Sequence, residues 1–169
     1  ISKYPPREQQ RAYDILREAK VPCVLSQYRA SIFDTAAIEE NFGPASANGS
    51  GIVCFSPLAQ GLLTDKYLCG VPENSRAARA SGYLRREEVT SMRIEAARKL
   101  NEIAEARGMT LAQLAIAWLL ADSRVTSVII GASSAGQLEA NVKAVEAPAL
   151  SAAELCLIRE IAEAEGVKF

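Results

Sequence analysis

The run Gly51-Ile52-Val53-Cys54-Phe55 is uncharged and apolar, and it ends abruptly at Ser56 and Pro57. Such a continuous run is typical of a strand that is covered on both faces, as the strands of parallel sheets are. Two further runs have the same form, namely Val21–Leu25 before Ser26-Gln27 and Thr126–Ile130 before Gly131-Ala132-Ser133. The sequence therefore predicts three buried strands with small or polar residues at their carboxyl ends.

Helical patterns separate these strands, because apolar residues recur with helical periodicity along the intervening segments. The predicted helices are Pro5–Lys20, Asp34–Asn41, Thr90–Gly108, one that Thr110 and Gln113 begin as a capping box, about Ala135–Val145, and Ser151–Ala164 with Glu154 as capping partner. Gly43-Pro44 and Asn48-Gly49 are predicted to break the second helix, and residues 70–84 to form a loop. Strands that alternate with helices indicate right-handed crossovers and a parallel sheet.

Composition limits the classes of function. The 169 residues are 49% hydrophobic and 23% charged, and 19 basic and 20 acidic residues leave a net charge of −1. The charges are interspersed and do not form the basic face that a nucleic-acid-binding protein shows. No apolar run reaches the roughly 20 residues that span a bilayer, and no signal region is visible. We therefore expect a cytoplasmic protein that binds neither nucleic acid nor a membrane.

Cysteine and histidine usage narrows the chemistry. The four cysteines are widely spaced and two lie in apolar runs, which favours buried reduced thiols over disulfides or metal ligands. The sequence has no histidine, so the commonest general base and the commonest metal ligand are both missing, and no metal site is predicted. Three short strands would leave two open sheet edges, so we expect this chain, which begins at Ile1, to be part of a larger α/β assembly.

Two segments that follow strands are candidate binding sites, because ligands gather at the carboxyl ends of parallel strands. Gly131-Ala132-Ser133-Ser134 leads into a helix whose N-terminus suits a phosphate group. The same residues are typical of a plain helix cap formed by Ser134 and Gln137, and taken alone they favour the cap. Phe55 is placed to stack on a flat ring, but from the local pattern alone it is read as a core residue.

Longer motifs make the sequence recognisable. Phe55-Ser56-Pro57-Leu58-Ala59-Gln60-Gly61 and the residues up to Arg76 resemble the seventh-strand segment of the aldo-keto reductases. Residues 125–141 resemble the eighth-strand cofactor segment of that family, residues 111–118 the helix between the two, and residues 1–4 the end of the fifth strand. The resemblance covers nearly the whole chain and is weakest around residues 34–50. The closest branch is that of the bacterial glyceraldehyde and methylglyoxal reductases, which also resemble the β-subunits of voltage-gated potassium channels.

The resemblance implies a fold and a domain boundary. The fold would be the C-terminal half of a (β/α)8 TIM barrel, an α/β architecture. Residues 1–169 would form a single partial domain, running from the end of strand five through helix eight and a C-terminal helix. The partner that completes the barrel would be an N-terminal half-barrel or a second copy of the chain.

The resemblance also implies NADP as cofactor and a small carbonyl compound as substrate. Ser2 and Gln27 would hold the nicotinamide carboxamide, and Phe55 would stack on the nicotinamide ring. The implied phosphate contacts come from Ser56, Pro57, Leu58, Ala59, Gln60, Gly61, Lys66 and Arg76. The implied contacts with the adenosine end and its 2′-phosphate come from Gly131, Ser133, Gln137 and Asn141. Without the resemblance, Lys66 and Arg76 are read as solvated loop charges.

The sequence departs from the family pattern at several positions. Ala140 stands where relatives usually carry a Glu that binds the adenine amine, and Ser134 where many carry an Arg for the 2′-phosphate. Lys3 replaces the usual Asn, and residues 28–31 lack the usual Pro. These departures make a preference for NADP over NAD less secure than cofactor binding itself.

The catalytic tetrad of the family, an Asp, a Tyr, a Lys and a His, lies on the first half of the barrel, and nothing in this chain matches its motifs. The resemblance therefore implies an enzyme that transfers hydride between NADPH and an aldehyde or ketone, with this chain supplying the cofactor-binding half. Two alternatives stay open. One is a regulatory nucleotide-binding module like the channel β-subunits, and the other is an inactive half-barrel fragment.

Overall fold

The computed structural model describes residues 1–68, 89–164 and 166. The helices are α1 Pro6–Glu18, α2 Ala36–Glu40, α3 Phe42–Ala47, α4 Ser91–Ala106, α5 Leu111–Leu120, α6 Ala135–Val142 and α7 Ala152–Ala164. The strands are β1 Leu25–Arg29, β2 Gly51–Phe55 and β3 Val125–Ile129, and short 3-10 turns occupy Ala59–Gly61, Asp65–Tyr67 and Lys143–Glu146. The predicted loop at 70–84 and the candidate Arg76 lie outside the described residues.

The described strands form one parallel sheet in the order β1-β2-β3. Arg29, the last residue of β1, pairs with Phe55, and Phe55 pairs in turn with Ile129 at the end of β3. The carboxyl ends of all three strands therefore meet at one edge of the sheet. The predicted α/β class and the parallel sheet are confirmed.

The predicted first strand, Val21–Leu25, is wrong. Val24 is 71% exposed, and the strand begins only at Leu25, so Ser26 and Gln27 lie inside it and not after it. Ser26 is fully buried because its hydroxyl has two partners, the Tyr13 hydroxyl at 2.7 Å and the Ser50 hydroxyl at 2.8 Å. A satisfied polar group costs little to bury, and these partners come from distant parts of the sequence.

The expectation that Gly43-Pro44 breaks the helical segment is also wrong, because both residues lie in α3. Pro44 is the third residue of that helix, in the first turn, where a backbone N–H has no partner within the helix and proline is tolerated. Asn48 and Gly49 end α3 as predicted, and Gly49 takes the positive φ of +70° that favours glycine there. The third strand also begins one residue earlier than expected, at Val125.

The described helices cover one face of the sheet, and no described element covers the other. On the covered face, Tyr28, Ile52 and Cys54 are buried, and they pack with Phe42 of α3. A second cluster joins α4, α5 and α7 through Leu100, Leu114 and Ile158. The opposite face, called the inner face below, carries Leu25, Gln27, Arg29, Val53, Phe55 and Ile129, all of them half-buried or exposed. An inner face of this kind is what half of a barrel presents.

The thiol groups of the described residues are free, at Cys23, Cys54 and Cys156. Cys54 faces the covered side of β2, and burial raises its pKa to about 12, with Asp122 adding a smaller effect of the same sign. Its thiol therefore stays protonated and packs as a small apolar group. Among the described helices none is long and apolar enough to cross a membrane by itself. Only when α4 and α5 are taken together, with a bend of 85° between them, do they reach the length and apolar composition of a span.

The start of α7 gives a prediction about pH. Glu154 bonds the hydroxyl and the backbone N–H of Ser151 and forms an ion pair with Arg107, and these contacts lower its pKa from 4.5 to about 2. A carboxylate with a lowered pKa in the folded state stabilises the fold above its unfolded pKa, and the effect is lost as the pH falls toward the folded pKa. In a protein that holds both halves of the barrel, Glu154→Gln should therefore lower the urea midpoint at pH 6, and its difference from the parent should shrink between pH 4.5 and about 2.

Glu146→Gln is the matched control, because it removes an exposed carboxylate from the turn that precedes α7. Its urea midpoint should follow that of the parent chain at each pH. A deficit of Glu154→Gln that stays constant from pH 6 to pH 2 would contradict the role given to this carboxylate.

Candidate functional site

A cleft of about 570 Å³ opens at the carboxyl ends of β2 and β3. This volume lies within the range of roughly 300–1,000 Å³ that is usual for ligand sites. Its lining residues are Phe55, Ser56, Pro57, Leu58, Gln60, Gly61, Thr64, Lys66, Ile129, Ile130, Gly131, Ser133 and Gln137. The two segments that the sequence indicated as separate candidates therefore face each other across one cavity.

The wall after β2 is a turn with unusual backbone angles. Ser56, Ala59 and Gln60 have φ values of +59°, +46° and +59°, and Gly61 has +102°. A left-handed conformation costs a residue other than glycine on the order of 1–3 kcal/mol, and residues in it cluster at functional sites. Two hydrogen bonds support the turn, from the Gln60 amide to the Ser56 hydroxyl at 3.1 Å and from the Gly61 N–H to the Leu58 carbonyl at 2.8 Å. Strain that is held in this way points to a role beyond stability.

The next turn brings Lys66 into the cleft. The Thr64 hydroxyl donates to the Gly61 carbonyl at 2.6 Å and accepts the Lys66 backbone N–H at 3.3 Å. Thr64 thus links the strained turn to the short 3-10 turn Asp65–Tyr67 and is itself a lining residue that the sequence analysis missed. A Thr that caps the residues after it is the local signal that would have revealed it.

The wall after β3 is the start of α6. Ser134 caps this helix by accepting the Gln137 N–H at 3.2 Å, while the Gln137 side-chain oxygen accepts from the backbone N–H of Ser133 at 2.8 Å and from its hydroxyl at 3.1 Å. The helix cap is therefore present, and Ser133 and Gln137 also line the cleft. A side chain at Gly131 would meet nothing within 4 Å, so the described residues leave open space beside this backbone. The N-terminus of α6 adds partial positive charge at this wall.

Ser2 and Gln27 are brought together beside β1. They pair as a parallel bridge, with the Lys3 N–H donating to the Gln27 carbonyl at 3.0 Å. Neither residue lines the cleft: Gln27 pairs with Val53, two residues before Phe55, and shares the inner face with it. Lys3 has a positive φ of +56°, and its Nζ lies 5.9 Å from the centre of the Phe55 ring.

Two other candidates, Ala59 and Asn141, do not line the cleft. Ala59 is a buried residue of the strained turn, and Asn141 is 4% exposed on α6. The Nδ2 atom of Asn141 has no hydrogen-bond partner among the described residues. A buried donor of this kind is costly unless some other group satisfies it. Arg76 lies outside the described residues, so its predicted role is not tested.

The apolar wall of the cleft was missed by sequence reasoning. Ile129 and Ile130 line the cleft, although the apolar run had placed them in a buried strand. Ile129 is 47% exposed because it lies on the inner face, where the described chain provides no covering layer. Lys66 is the only charged side chain among the lining residues, so the described part of the cleft favours an anion.

A ligand cleft at the carboxyl ends of parallel strands defines a class of α/β protein to which barrel enzymes belong. Comparison with known proteins makes this specific. The profile of the Aldo/keto reductase family matches residues 1–163, so the chain belongs to the aldo/keto reductase family. Its fold is part of a (β/α)8 barrel.

Two curated relatives and one solved structure show the extent of the match. The chain is 41% identical over 170 residues to the L-glyceraldehyde 3-phosphate reductases of Escherichia coli K12 and O157:H7, covering 98% of this chain and 49% of each relative. An aldo-keto reductase from Bacillus halodurans, solved in its holo form, superposes with a TM-score of 0.68 at 27% identity over 95% of this chain and 48% of that one. The chain therefore spans about half the length of the relatives it matches.

The two serines at the start of α6 give a prediction that separates the helix cap from the cleft. Ser134→Ala removes the cap and should lower the free energy of unfolding by about 1 kcal/mol, as loss of an N-cap does. Ser133→Ala is the matched control, since the backbone N–H of residue 133 still bonds Gln137, and it should lower stability less. Urea denaturation of both variants, made in a protein that holds both halves of the barrel, measures the difference. Equal losses would mean that the Ser134 cap does not hold this helix start.

Proposed function

We propose that this chain supplies the cofactor-binding half of an NADP(H)-dependent reductase that converts a small aldehyde or ketone to an alcohol. The observation that carries the proposal is the single cleft in which Phe55 and the strained turn after β2 meet the start of α6. Membership of the aldo/keto reductase family and the similarity to two reductases of an aldehyde support the reaction type.

The residues present fit a dinucleotide. Phe55 offers an aromatic face at the sheet edge, and Gln27, which pairs with Ser2 and lies on the same inner face, offers groups for a carboxamide. Ser56, Gln60, Gly61 and Lys66 offer hydroxyl, amide, backbone and ammonium groups to a pyrophosphate, together with Arg76 of the undescribed segment. Ser133 and Gln137 lie at the helix start that would receive the adenosine phosphate, and the unpartnered Nδ2 of Asn141 is a further donor on that helix.

When bound, the cofactor would supply a hydride to the carbonyl carbon and be oxidised to NADP⁺, while a proton on the carbonyl oxygen would complete the alcohol. The role of this chain is to fix the ring and the phosphates so that one face of the ring meets the substrate. In this proposal the proton donor comes from the other half of the barrel, because the motifs of the family's catalytic tetrad do not occur in this sequence, which also has no histidine.

We also propose that the open inner face is covered by the half of the barrel that this chain lacks relative to its relatives. Leu25 and Ile129 are 50% and 47% exposed on that face, and apolar surface of this kind is unfavourable in water. The edge of β3 away from β2 is a second such surface, because no described strand pairs with it and its backbone groups need a partner. Leu138, Val142 and Val145, on α6 and the turn after it, are further exposed apolar side chains.

Lys66 tests the cofactor site. In a protein that holds both halves of the barrel, Lys66→Gln removes the cation of the described cleft lining and should raise the Kd for NADPH about tenfold, equivalent to about 1.4 kcal/mol. Lys143→Gln is the matched control, because Lys143 is exposed in the turn after α6 and outside the cleft. Quenching or enhancement of NADPH fluorescence gives both constants. An unchanged Kd in Lys66→Gln would remove this lysine from the proposed phosphate site.

An assay of NADPH oxidation in the presence of an aldehyde, made with the same two-half protein, distinguishes an enzyme from a regulatory module. Turnover at ordinary enzymatic rates supports the reductase, whereas tight nucleotide binding with negligible turnover supports the regulatory reading.

The open face makes a prediction for the chain on its own. Purified residues 1–169 should self-associate or lose their fold in dilute buffer, because the inner face and the β3 edge would be exposed to water. Sedimentation velocity with circular dichroism measures both properties. A folded monomer in dilute buffer would contradict the need for a covering half, and addition of the separately produced other half should shift the sedimentation of this chain to that of a one-to-one complex.

A further inference from the structure

Two basic residues, Lys3 and Arg29, belong to the β1 side of Phe55, away from the cleft wall formed by β3. Because β2 is the central strand, its neighbours β1 and β3 lie on opposite sides of Phe55. Arg29 is the residue of β1 that pairs with Phe55, and the alternating burial of β1 places it on the inner face together with Gln27. Paired residues of adjacent strands are about 5 Å apart at their backbones, so the Arg29 side chain starts next to the ring.

Lys3 reaches the same ring from the segment beyond β1. The chain at Ser2 runs parallel to β1, but the positive φ of Lys3 turns it out of the extended conformation. Its Nζ lies 5.9 Å from the centre of the Phe55 ring, within the range of a cation–π contact. Lys3 is exposed, so its ammonium group is available to a second partner.

Arg29 is oriented by a carboxylate. Its Nε lies 3.0 Å from Oδ2 of Asp34, and Asp34 is held by a pair of backbone hydrogen bonds with Ser31, each of 3.0 Å. The Arg29 side chain is 50% exposed, and an ion pair of that exposure contributes only about 0–1 kcal/mol to stability. Its larger effect is to fix the direction of a planar guanidinium group, which carries five N–H donors and meets Asp34 here through Nε.

We propose that Lys3 and Arg29 form an anion subsite for the carbonyl substrate, so that preferred substrates carry a phosphate or carboxylate group. The inference rests on the proposed function, since it takes Phe55 as the place of the nicotinamide ring. In that function the phosphates of the cofactor lie on the other side of Phe55, with Lys66 and the start of α6. The anionic group that Lys3 and Arg29 would bind therefore belongs to the substrate, which is the molecule that meets the nicotinamide ring.

The charges at this subsite favour the binding of one anionic group. Lys3 and Arg29 carry two positive charges and Asp34 one negative charge, so the group of three is net positive. Arg29 presents a planar fork that matches phosphate or carboxylate oxygens, and Lys3 adds a point charge that adapts to either. A neutral aldehyde would make neither interaction, so the subsite acts on the choice of substrate.

The test compares a charged and a neutral form of one aldehyde in the protein that holds both halves of the barrel. We would measure kcat/KM at saturating NADPH for L-glyceraldehyde 3-phosphate and for L-glyceraldehyde, and take their ratio. The parent protein should prefer the phosphorylated aldehyde, and added salt should lower that preference. Arg29→Gln should lower the ratio about tenfold, Lys3→Gln by less, the double variant by more than either, and Arg29→Lys should restore part of it.

Lys20→Gln is the charge-matched control. Lys20 is exposed, has a positive φ as Lys3 does, and lies before β1 at the opposite edge of the sheet. Its ratio should equal that of the parent. Succinic semialdehyde compared with butanal, measured in the same variants, shows whether the subsite accepts a carboxylate as well as a phosphate. NADPH binding by fluorescence establishes that each variant is folded.

Two results would overturn the inference while leaving the proposed function standing. One is a parent protein that reduces both aldehydes without a salt-sensitive preference for the charged form. The other is a ratio that the double variant leaves unchanged, or that Lys20→Gln lowers equally. A failure to oxidise NADPH with any of the four aldehydes would instead overturn the proposed function, and the subsite with it.

Discussion

The parallel register of β1, β2 and β3 is the constraint on which the site depends. It pairs Arg29 with Phe55 and Phe55 with Ile129, so the last residues of three strands that are distant in sequence share one edge. A slip of one residue would turn Phe55 from the inner face to the covered face and exchange it with a residue that packs against the helices. The hydroxyl chain of Tyr13, Ser26 and Ser50 opposes such a slip, because it would leave buried donors and acceptors unpaired.

Around that edge, backbone geometry contributes as much as side-chain chemistry. The turn after β2 directs Gln60 and Gly61 to one wall, and the capped start of α6 brings Ser133 and Gln137 to the other. Lys66 supplies the charge that lies between the walls in the described lining. The arrangement suits an elongated anionic ligand, and the inner face next to Phe55 remains for the molecule on which that ligand acts.

Local patterns in the sequence predicted much of this structure. Gly51–Phe55 was predicted with its observed ends, and Thr110 with Gln113 forms the expected capping box, because each signal lies within a few neighbouring residues. β1 was misplaced because burial of Ser26 depends on Tyr13 and Ser50, and Pro44 was misread because its tolerance depends on its position in a helical turn. The family resemblance assigned Ser2 and Gln27 to one carboxamide group but did not predict that they pair as a β-bridge. The approach of Lys3 to Phe55 depends on a positive φ that no sequence pattern predicts.

The turn at Ser56, Ala59 and Gln60 has a consequence for how this segment tolerates mutation. Positive φ values are accessible to Gly, Asn and Asp but strongly disfavoured for Val, Ile and Thr, whose branched side chains crowd the backbone. In a library randomised at these positions, many variants would therefore fail to adopt the turn, whatever ligand was present. Protein engineers who wish to alter the cleft have more freedom at Ile129 and Ile130, where the described backbone is not left-handed, than in the turn that shapes it.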